Sequence, residues 1–374
     1  MNLSLQNKGL IKTAVALSVA LVASQFAQAD DLSFMTKGGA EAKFYGNIRV
    51  DAGYAIRGTD GIFHDVASKD NMGASVKKFN TTASATRFGF DFKAPVEGHN
   101  VGGKIEGDFR GAGDAGKAFR LRHAYMTYDN FLVGQTSSLY ASNNEPAIID
   151  FNDPVGGDAT PRNPQVRYTT EVAPGTKFAA ALESQHTAGD KAGANEIDYR
   201  VPAVSAKVTQ NLGLGTAEVR GLVVPHYVKN LDKTKTGYAL AAGFNYKVAE
   251  TAKVLLDVSY ARGLKANVGA TDTLNAAGQQ NQYTSVLTGV EVQVAPQVTT
   301  TLGYGVLRNK TNTEYAKSVG QSLNQTVQHG FVNAVYSPNK AVDLGVEYGF
   351  GQRKDVAGKA YKEQAINMMA KYKF

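Results

Sequence analysis

The residues with most to say chemically lie between 117 and 170. Arg120 and Arg122 alternate along one short segment, and the stretch 139–163 follows it after Phe131 to Ser138. That stretch carries Glu145, Asp150 and Asp153 among four prolines, Pro146, Pro154, Pro161 and, just beyond, Pro164. It also holds Ile148, Ile149 and Phe151. A loop surrounded by water has little use for such an apolar cluster, whereas a loop folded back against a wall buries it. Guanidinium groups stay charged at any relevant pH. Carboxylates facing them across a narrow, low-dielectric gap would set up a transverse field that orders water and orients dipolar solutes. No bond need be made or broken for this.

Other chemistry fits less well. Asp150, Asn152 and Asp153 supply oxygen ligands at close spacing, but one cluster of three is too few for a calcium site. The six histidines, His64, His99, His123, His186, His226 and His329, form no evident nucleophile–base arrangement. With no cysteine in the chain, thiolate metal sites, cysteine nucleophiles and disulfides are excluded together. No cofactor is implied.

The compartment is read from the start of the chain. Lys8 and Lys12 precede an uncharged, mostly apolar run from Thr13 to about Ser24, and Ala27-Gln28-Ala29 places small residues where a signal peptidase needs them. Residues 1–29 are therefore expected to be a secretory signal peptide cleaved after Ala29. The apolar run falls short of the roughly 20 residues a spanning helix needs. Removing Lys8 and Lys12 lowers the formal net charge from +7 to +5, a mild excess with no compact basic arm, so nucleic acid is not an expected partner.

From Asp30 to Phe374 the dominant signal has a period of two, which puts successive side chains on opposite faces of a strand. Phe44, Ile48, Val50, Ala52 and Tyr54 oppose Tyr45, Asn47, Arg49 and Asp51. Phe88, Phe90 and Phe92 oppose Arg87, Asp91 and Lys93, and Val101, Ile105 and Phe109 oppose Lys104, Glu106, Asp108 and Arg110. Val342, Leu344, Val346, Tyr348 and Phe350 oppose Asp343, Gly345, Glu347 and Gly349. A soluble sandwich alternates too, but segments of about 9–11 residues match a tilted crossing of a bilayer, and a face rich in Gly and mixed charge suits a wet lumen. The fold expected is all-β: a transmembrane antiparallel β-barrel of sixteen strands, spanning 30–374 as one domain.

The sixteen strands are placed near 44–56, 84–94, 101–110, 117–128, 130–138, 164–171, 176–185, 200–210, 214–224, 237–248, 252–263, 283–294, 297–308, 326–336, 341–351 and 363–374. Short turns such as Asp129-Asn130 alternate with long loops over 57–83, 139–163, 186–199, 225–236, 264–282, 309–325 and 352–362, with 111–116 a short exception. Short turns at one rim and long loops at the other are the plan of bacterial outer-membrane barrels. An even strand number lets the first and last strands meet and remove the sheet edge. The last strand ends on Tyr372 and Phe374, with Lys371 and Lys373 on the opposite face.

The order FRLRHAY, FLVGQTSS, PAIIDFNDPVGG and RNPQVRYT resembles the DcaP-like porins of Acinetobacter relatives, and the whole mature chain resembles sixteen-stranded Gram-negative porins. One departure is that only Asp30 to Lys43 precedes the first strand, where members near the founding one carry a helical coiled-coil extension. The resemblance implies an outer-membrane channel for passive diffusion of small hydrophilic solutes and ions, seated among membrane lipids as a homotrimer. It implies that 139–163 is the third extracellular loop, folded inward, and that terminal Phe374 with Tyr372 is read by the barrel-assembly machinery. It also implies a preference for anions such as carboxylates, in keeping with the basic excess. The basic wall is expected to be Arg49, Arg87, Arg110, Arg120, Arg122 and Arg167 with Lys104, and the acidic side Glu145, Asp150 and Asp153. Against this stands local pairing of those arginines with Asp51, Asp91, Glu106 or Asp108, which would only stabilise the wall. The competing functional classes are a barrel enzyme of lipase or protease type, an adhesin, a soluble periplasmic β-protein, and a non-selective or cation-preferring porin.

Overall fold

The computed structural model describes residues 32–35, 39–111, 118–152, 154–159, 161–185, 191–192, 195–270 and 273–374. The expected signal peptide, Asp153, His186 and all of the link 111–116 beyond Gly111 lie outside these described residues.

Sixteen antiparallel strands close on themselves. In chain order they are β1 (Glu41–Arg57), β2 in two pieces (Ser75–Thr82 and Arg87–Val96), β3 (His99–Gly111), β4 (Ala118–Tyr128), β5 (Phe131–Ser137), β6 (Arg162–Ala173), β7 (Thr176–Glu183) and β8 (Ala203–Asn211). They continue as β9 (Gly215–Val228), β10 (Lys233–Ala249), β11 (Ala252–Arg262), β12 (Gln282–Ala295), β13 (Val298–Asn309), β14 (Asn324–Tyr336), β15 (Val342–Asp355) and β16 (Ala360–Lys373). Each pairs with its sequence neighbour, and β1 pairs with β16 through Ile48↔Tyr372 and Val50↔Ala370. The last residue completes the seam: Phe374 N–H donates to Gly46 O at 3.1 Å, and Gly46 N–H donates to Phe374 O at 2.9 Å. The Phe374 ring lies 5.4 Å from that of Phe44. Closure matters because an unpaired amide in hydrocarbon costs several kcal/mol.

The side-chain sorting is the reverse of a soluble protein. Leu302 is 55% exposed and Val346 50%, whereas Asp51, Glu347 and Arg220 are 3%, 1% and 1% exposed. The apolar stripe of each strand points outward and the charged stripe inward. This excludes a soluble sandwich, which would hide the first set and expose the second.

Every expected strand is present, and the departures are in strand length. The stretch assigned to the first long loop contains Ser75–Thr82, paired with the upper half of β1. Its sequence, SVKKFNTT, hides it: Lys77 and Lys78 break the alternation, and Lys77 takes a φ of 55°. The segments 225–236 and 352–362 were also expected as loops. Instead β9 and β10 extend to leave only Lys229 to Asp232 between them, and β15 runs to Asp355 with β16 resuming at Ala360. Their outward positions hold Tyr227, Thr234, Thr236, Gln352, Lys354 and Lys362 in place of an aliphatic stripe, because ladder pairing continues above the zone where lipid demands an apolar face.

The inversion makes a stability prediction. Val346→Arg places a guanidinium on the lipid side of β15 and is expected to cost about 2–4 kcal/mol. Urea titration of the protein folded in lipid vesicles measures this, and an unchanged midpoint would show that Val346 does not face lipid.

Candidate functional site

The segment 138–161 between β5 and β6 is held along its length by side chains on the inward face of the wall. At its start Ser138 Oγ and Leu139 N–H donate to Glu183 of β7 at 3.0 and 3.1 Å. Arg220 Nε of β9 donates to Tyr140 O at 2.7 Å. Asn143 N–H donates to Glu218 of β9 at 3.1 Å, and Ser142 Oγ donates to Asp257 of β11 at 2.7 Å. Ala147 N–H reaches Glu291 of β12 at 2.9 Å, and its carbonyl accepts from Asn333 of β14 at 2.8 Å. Glu347 of β15 then takes two successive amides, Ile149 N–H at 2.8 Å and Asp150 N–H at 2.9 Å.

Carboxylates suit this task because an irregular segment leaves its N–H groups unpaired, and a charged acceptor makes the stronger bond. Shape complements charge. A Cβ on Gly305 would lie 1.7 Å from Val155 O, and one on Gly289 would lie 2.5 Å from Pro146 Cβ. These inward glycines of β13 and β12 let the segment lie against the wall.

The return half is held by a buried charge cluster. Arg220 forms ion pairs with Asp158 at 2.8 Å, Glu218 at 2.9 Å and Asp257 at 2.7 Å, all nearly inaccessible. Breaking such a network by removing one partner typically costs about 3–5 kcal/mol, because the others remain buried and charged. Asn267, in the connection between β11 and β12, donates to Asp158 Oδ1 at 3.2 Å.

The expected basic residues fall into three groups. Arg49 and Arg110 touch the segment itself: Arg49 Nη2 donates to Ile149 O at 2.7 Å, Arg110 Nη1 donates to Phe151 O at 3.1 Å, and both guanidinium carbons lie 4.4 Å from the centre of the Phe151 ring. Arg49 also pairs with Asp51 at 2.6 Å.

Arg87, Arg120 and Arg122 gather on β2 and β4 around two acids of β3. Arg120 makes two bonds to Asp108 at 2.9 and 2.6 Å. Arg122 bridges Glu106 at 2.8 Å and Asp108 at 2.9 Å, and Arg87 stands 3.4 Å from Glu106. Lys104 and Arg167 stand apart. Lys104 pairs with Asp91 at 2.9 Å and Tyr45 at 3.0 Å, while Arg167 donates to Ser137 O at 2.6 Å and to Gln165 Oε1 at 2.7 Å.

The described loop acids are occupied. Glu145 accepts from Asp158 N–H at 2.7 Å within the segment. Asp150 is 4% exposed and accepts from His64 N–H and Asn152 N–H, each at 3.0 Å.

Several functional residues escaped the sequence reading. Arg220 and its acids Glu218 and Asp257 sit on inward parity in β9 and β11, a signal that charge on the polar face of a strand supplies. Arg162, at the start of β6, stands within electrostatic reach of Arg122, Arg120 and Arg87. It lies at the junction of loop and strand, where parity gives no guide.

A sequence profile described as DcaP outer membrane protein matches residues 2–374. The chain belongs to the DcaP outer membrane protein family. Among solved structures, the outer membrane channel DcaP of Acinetobacter baumannii is 39% identical, covers 91% of this chain and 99% of its own, and superposes with a TM-score of 0.84. The fold extends to more distant barrels. An anion-selective porin from Comamonas acidovorans, at 14% identity, covers 90% of this chain and 100% of its own with a TM-score of 0.62. OmpT of Vibrio cholerae, at 13% identity, covers 92% and 100% with a TM-score of 0.61. No curated protein sequence is recognisably similar. As a family member with this barrel, the chain is an outer-membrane porin-type channel protein.

Burial pushes the Asp150 carboxyl up to about 7, against the opposing pull of His64 and the two N–H donors. A carboxyl whose folded pKa lies above its unfolded value of about 3.9 binds the extra proton only when folded. Its contribution to stability is therefore full at low pH and is lost as pH rises through about 7. Segment 145–158 is expected to exchange amide hydrogens more slowly at pH 5.5 than at pH 8, after correction for intrinsic rates. Asp150→Asn should shrink that difference; a variant with the full difference would assign it to another group.

Proposed function

We propose that segment 138–161 narrows a water-filled passage through the barrel, and that this passage favours small hydrophilic anions, carboxylates among them. The observation that carries the reading is the division of the inward surface. The segment is bonded to strands from β7 round to β15 and meets Arg49 of β1 and Arg110 of β3. Arg87, Arg120 and Arg122, with Arg162, belong to the stretch of wall from β2 to β6. There two carboxylates, Glu106 and Asp108, serve a larger group of guanidiniums.

The described acids of the segment are turned to bonds that hold the loop, which weakens the acidic side of the gap. Asp153 belongs to the same proposed acidic side with Glu145 and Asp150. A passage whose fixed charge is dominated by one wall attracts the opposite ion and concentrates it. Local pairing does not cancel this, because Arg120 keeps about a third of its side chain accessible beside Asp108.

The same reading covers export and assembly. Residues 1–29 act as a cleaved export signal, and the Tyr372–Phe374 end serves barrel assembly. The working unit is a homotrimer among membrane lipids; OmpT of Vibrio cholerae, a barrel of the same fold, is described in a trimer form. No catalytic group, cofactor or metal is needed for passive diffusion.

Two measurements test the passage. In planar bilayers under a salt gradient, the reversal potential is expected to report chloride permeating faster than potassium, and Arg87→Gln with Arg120→Gln should move the ratio towards unity. Cation selectivity of the unaltered protein would overturn the anion preference. Gly305→Val keeps a residue suited to strands but occupies the seat of Val155, so single-channel conductance should rise. Unchanged conductance with the variant folded would mean that the segment does not set the narrowest point.

A further inference from the structure

On the face formed by β11 to β16 and β1, the outward strand positions carry charge at one end only. On strands β11 to β16 and β1 the outward positions hold Arg262, Arg308, Lys354, Lys362 and Arg57, all exposed and all at the long-loop end. Among the described residues, no Asp or Glu occupies an outward position on these strands, and none of these cations makes an ion pair. At the short-turn end of the same strands the outward residues are Val294, Val298, Tyr336, Tyr372 and Phe374, with no charge. Of the lysines at that end, Lys371 and Lys373 turn inward to Asp343 at 2.8 and 2.9 Å and Lys253 to Glu291, while the exposed Lys340 lies in the turn between β14 and β15.

The cations are arranged rather than scattered. Arg308 and Lys354 flank Thr326 in one cross-strand row. Lys362 is paired with Gln352, and Arg57 with Gln364. In the next two cross-strand rows towards the bilayer centre, Gln328, Gln352 and Lys362 and then Tyr304, Phe350 and Gln364 are among the residues lining an outward cavity of about 230 Å³, which the buried Glu363 also borders. Aromatic groups beneath polar donors beneath cations is the sequence of chemistries met on going from acyl chain to headgroup. Exposed basic residues without partners are favourable at that depth only where the surrounding lipid supplies anions.

We propose that this face docks the phosphorylated glycolipid of the outer leaflet, its phosphates held by Arg308, Lys354 and Lys362 and its upper acyl segments lying on Tyr304 and Phe350. The long-loop rim is the outward one in barrels of this plan, so the cations meet the outer leaflet and the uncharged rim meets the inner. The inference does not depend on how the passage selects solutes, since these side chains lie outside the lumen.

The test uses the full-length protein, folded and purified in neutral detergent, and the triple variant Arg308→Gln, Lys354→Gln and Lys362→Gln. Each is titrated with bis-phosphorylated lipid A and with the same glycolipid dephosphorylated, and the bound fraction is read by native mass spectrometry. The unaltered protein should bind the phosphorylated form at least about tenfold more tightly than the variant does. The dephosphorylated form should bind both proteins at the variant's level, and excess inorganic phosphate should leave the bound lipid in place. Conductance and reversal potential of the variant should match those of the unaltered protein, which establishes its fold and separates this result from the reading of the passage. Equal binding of the two glycolipids to the unaltered protein would overturn the proposal whether or not the variant folds. Displacement by inorganic phosphate would overturn it in favour of a free-anion site.

Discussion

A strand in hydrocarbon has nowhere to leave an amide unpaired, and most of this structure follows from that constraint. It forces the sheet to close, so β1 and β16 must meet in register and the terminal Phe374 must be hydrogen-bonded rather than frayed. It fixes the sense of every strand, because an apolar stripe outside leaves only the opposite stripe for charge. It also limits irregular backbone to places where protein or water can satisfy it. Segment 138–161 is such backbone, and several of its amides are paired by inward carboxylates, those of Glu183, Glu218 and Glu347 buried and that of Glu291 half-buried.

Those carboxylates carry out a division of labour that a soluble enzyme would rarely attempt. Each is inward by strand parity, and the loop amides add to partners the wall already supplies, such as Arg220 for Glu218 and Lys253 for Glu291. Bonding to loop amides satisfies the carboxylate and the loop together, and the glycines at 289 and 305 supply the space. The outcome is asymmetric: acids are covered where the segment lies, and the arginines of β2, β4 and β6 are grouped elsewhere. In the proposed passage, charge separation would come from where the loop is tethered, with no need for the loop itself to present free acids.

How much of this was legible in the sequence depended on how far each feature obeys a repeat. Strand existence and facing were legible because lipid enforces a period of two, and Leu344, Val346 and Tyr348 against Asp343, Gly345 and Glu347 show it without help. Ser75–Thr82 was not legible, since adjacent lysines and a left-handed Lys77 interrupt the pattern outside the lipid zone. Within the site, inward placement of Arg49, Arg87, Arg110, Arg120, Arg122 and Arg167 followed from parity. Their partners did not: Arg122 bridging Glu106 and Asp108 depends on the register between β3 and β4, which shifts at Glu106 and Gly107. The burial of Asp150 was hidden for a related reason. It rests on contacts with His64, nearly ninety positions away along the chain, and with Glu347 on a strand that no local pattern links to the loop.

The cations of the barrel are sorted by what neutralises them. Arg220 is enclosed by acids of its own chain, and its role is mechanical. Arg87, Arg120 and Arg122 share fewer acids than their number, leaving a surplus that water and mobile anions must balance. Arg308, Lys354 and Lys362 have no acid at an outward position of their own or neighbouring strands among the described residues. A guanidinium or ammonium left without a counterion at a lipid boundary is favourable only if the boundary provides one, and the clean charge at one rim with none at the other matches a bilayer whose two leaflets differ. The same residue types thus fasten a loop, set the proposed field or meet the proposed lipid, and what distinguishes them is the supply of carboxylates within reach, which strand parity and register decide.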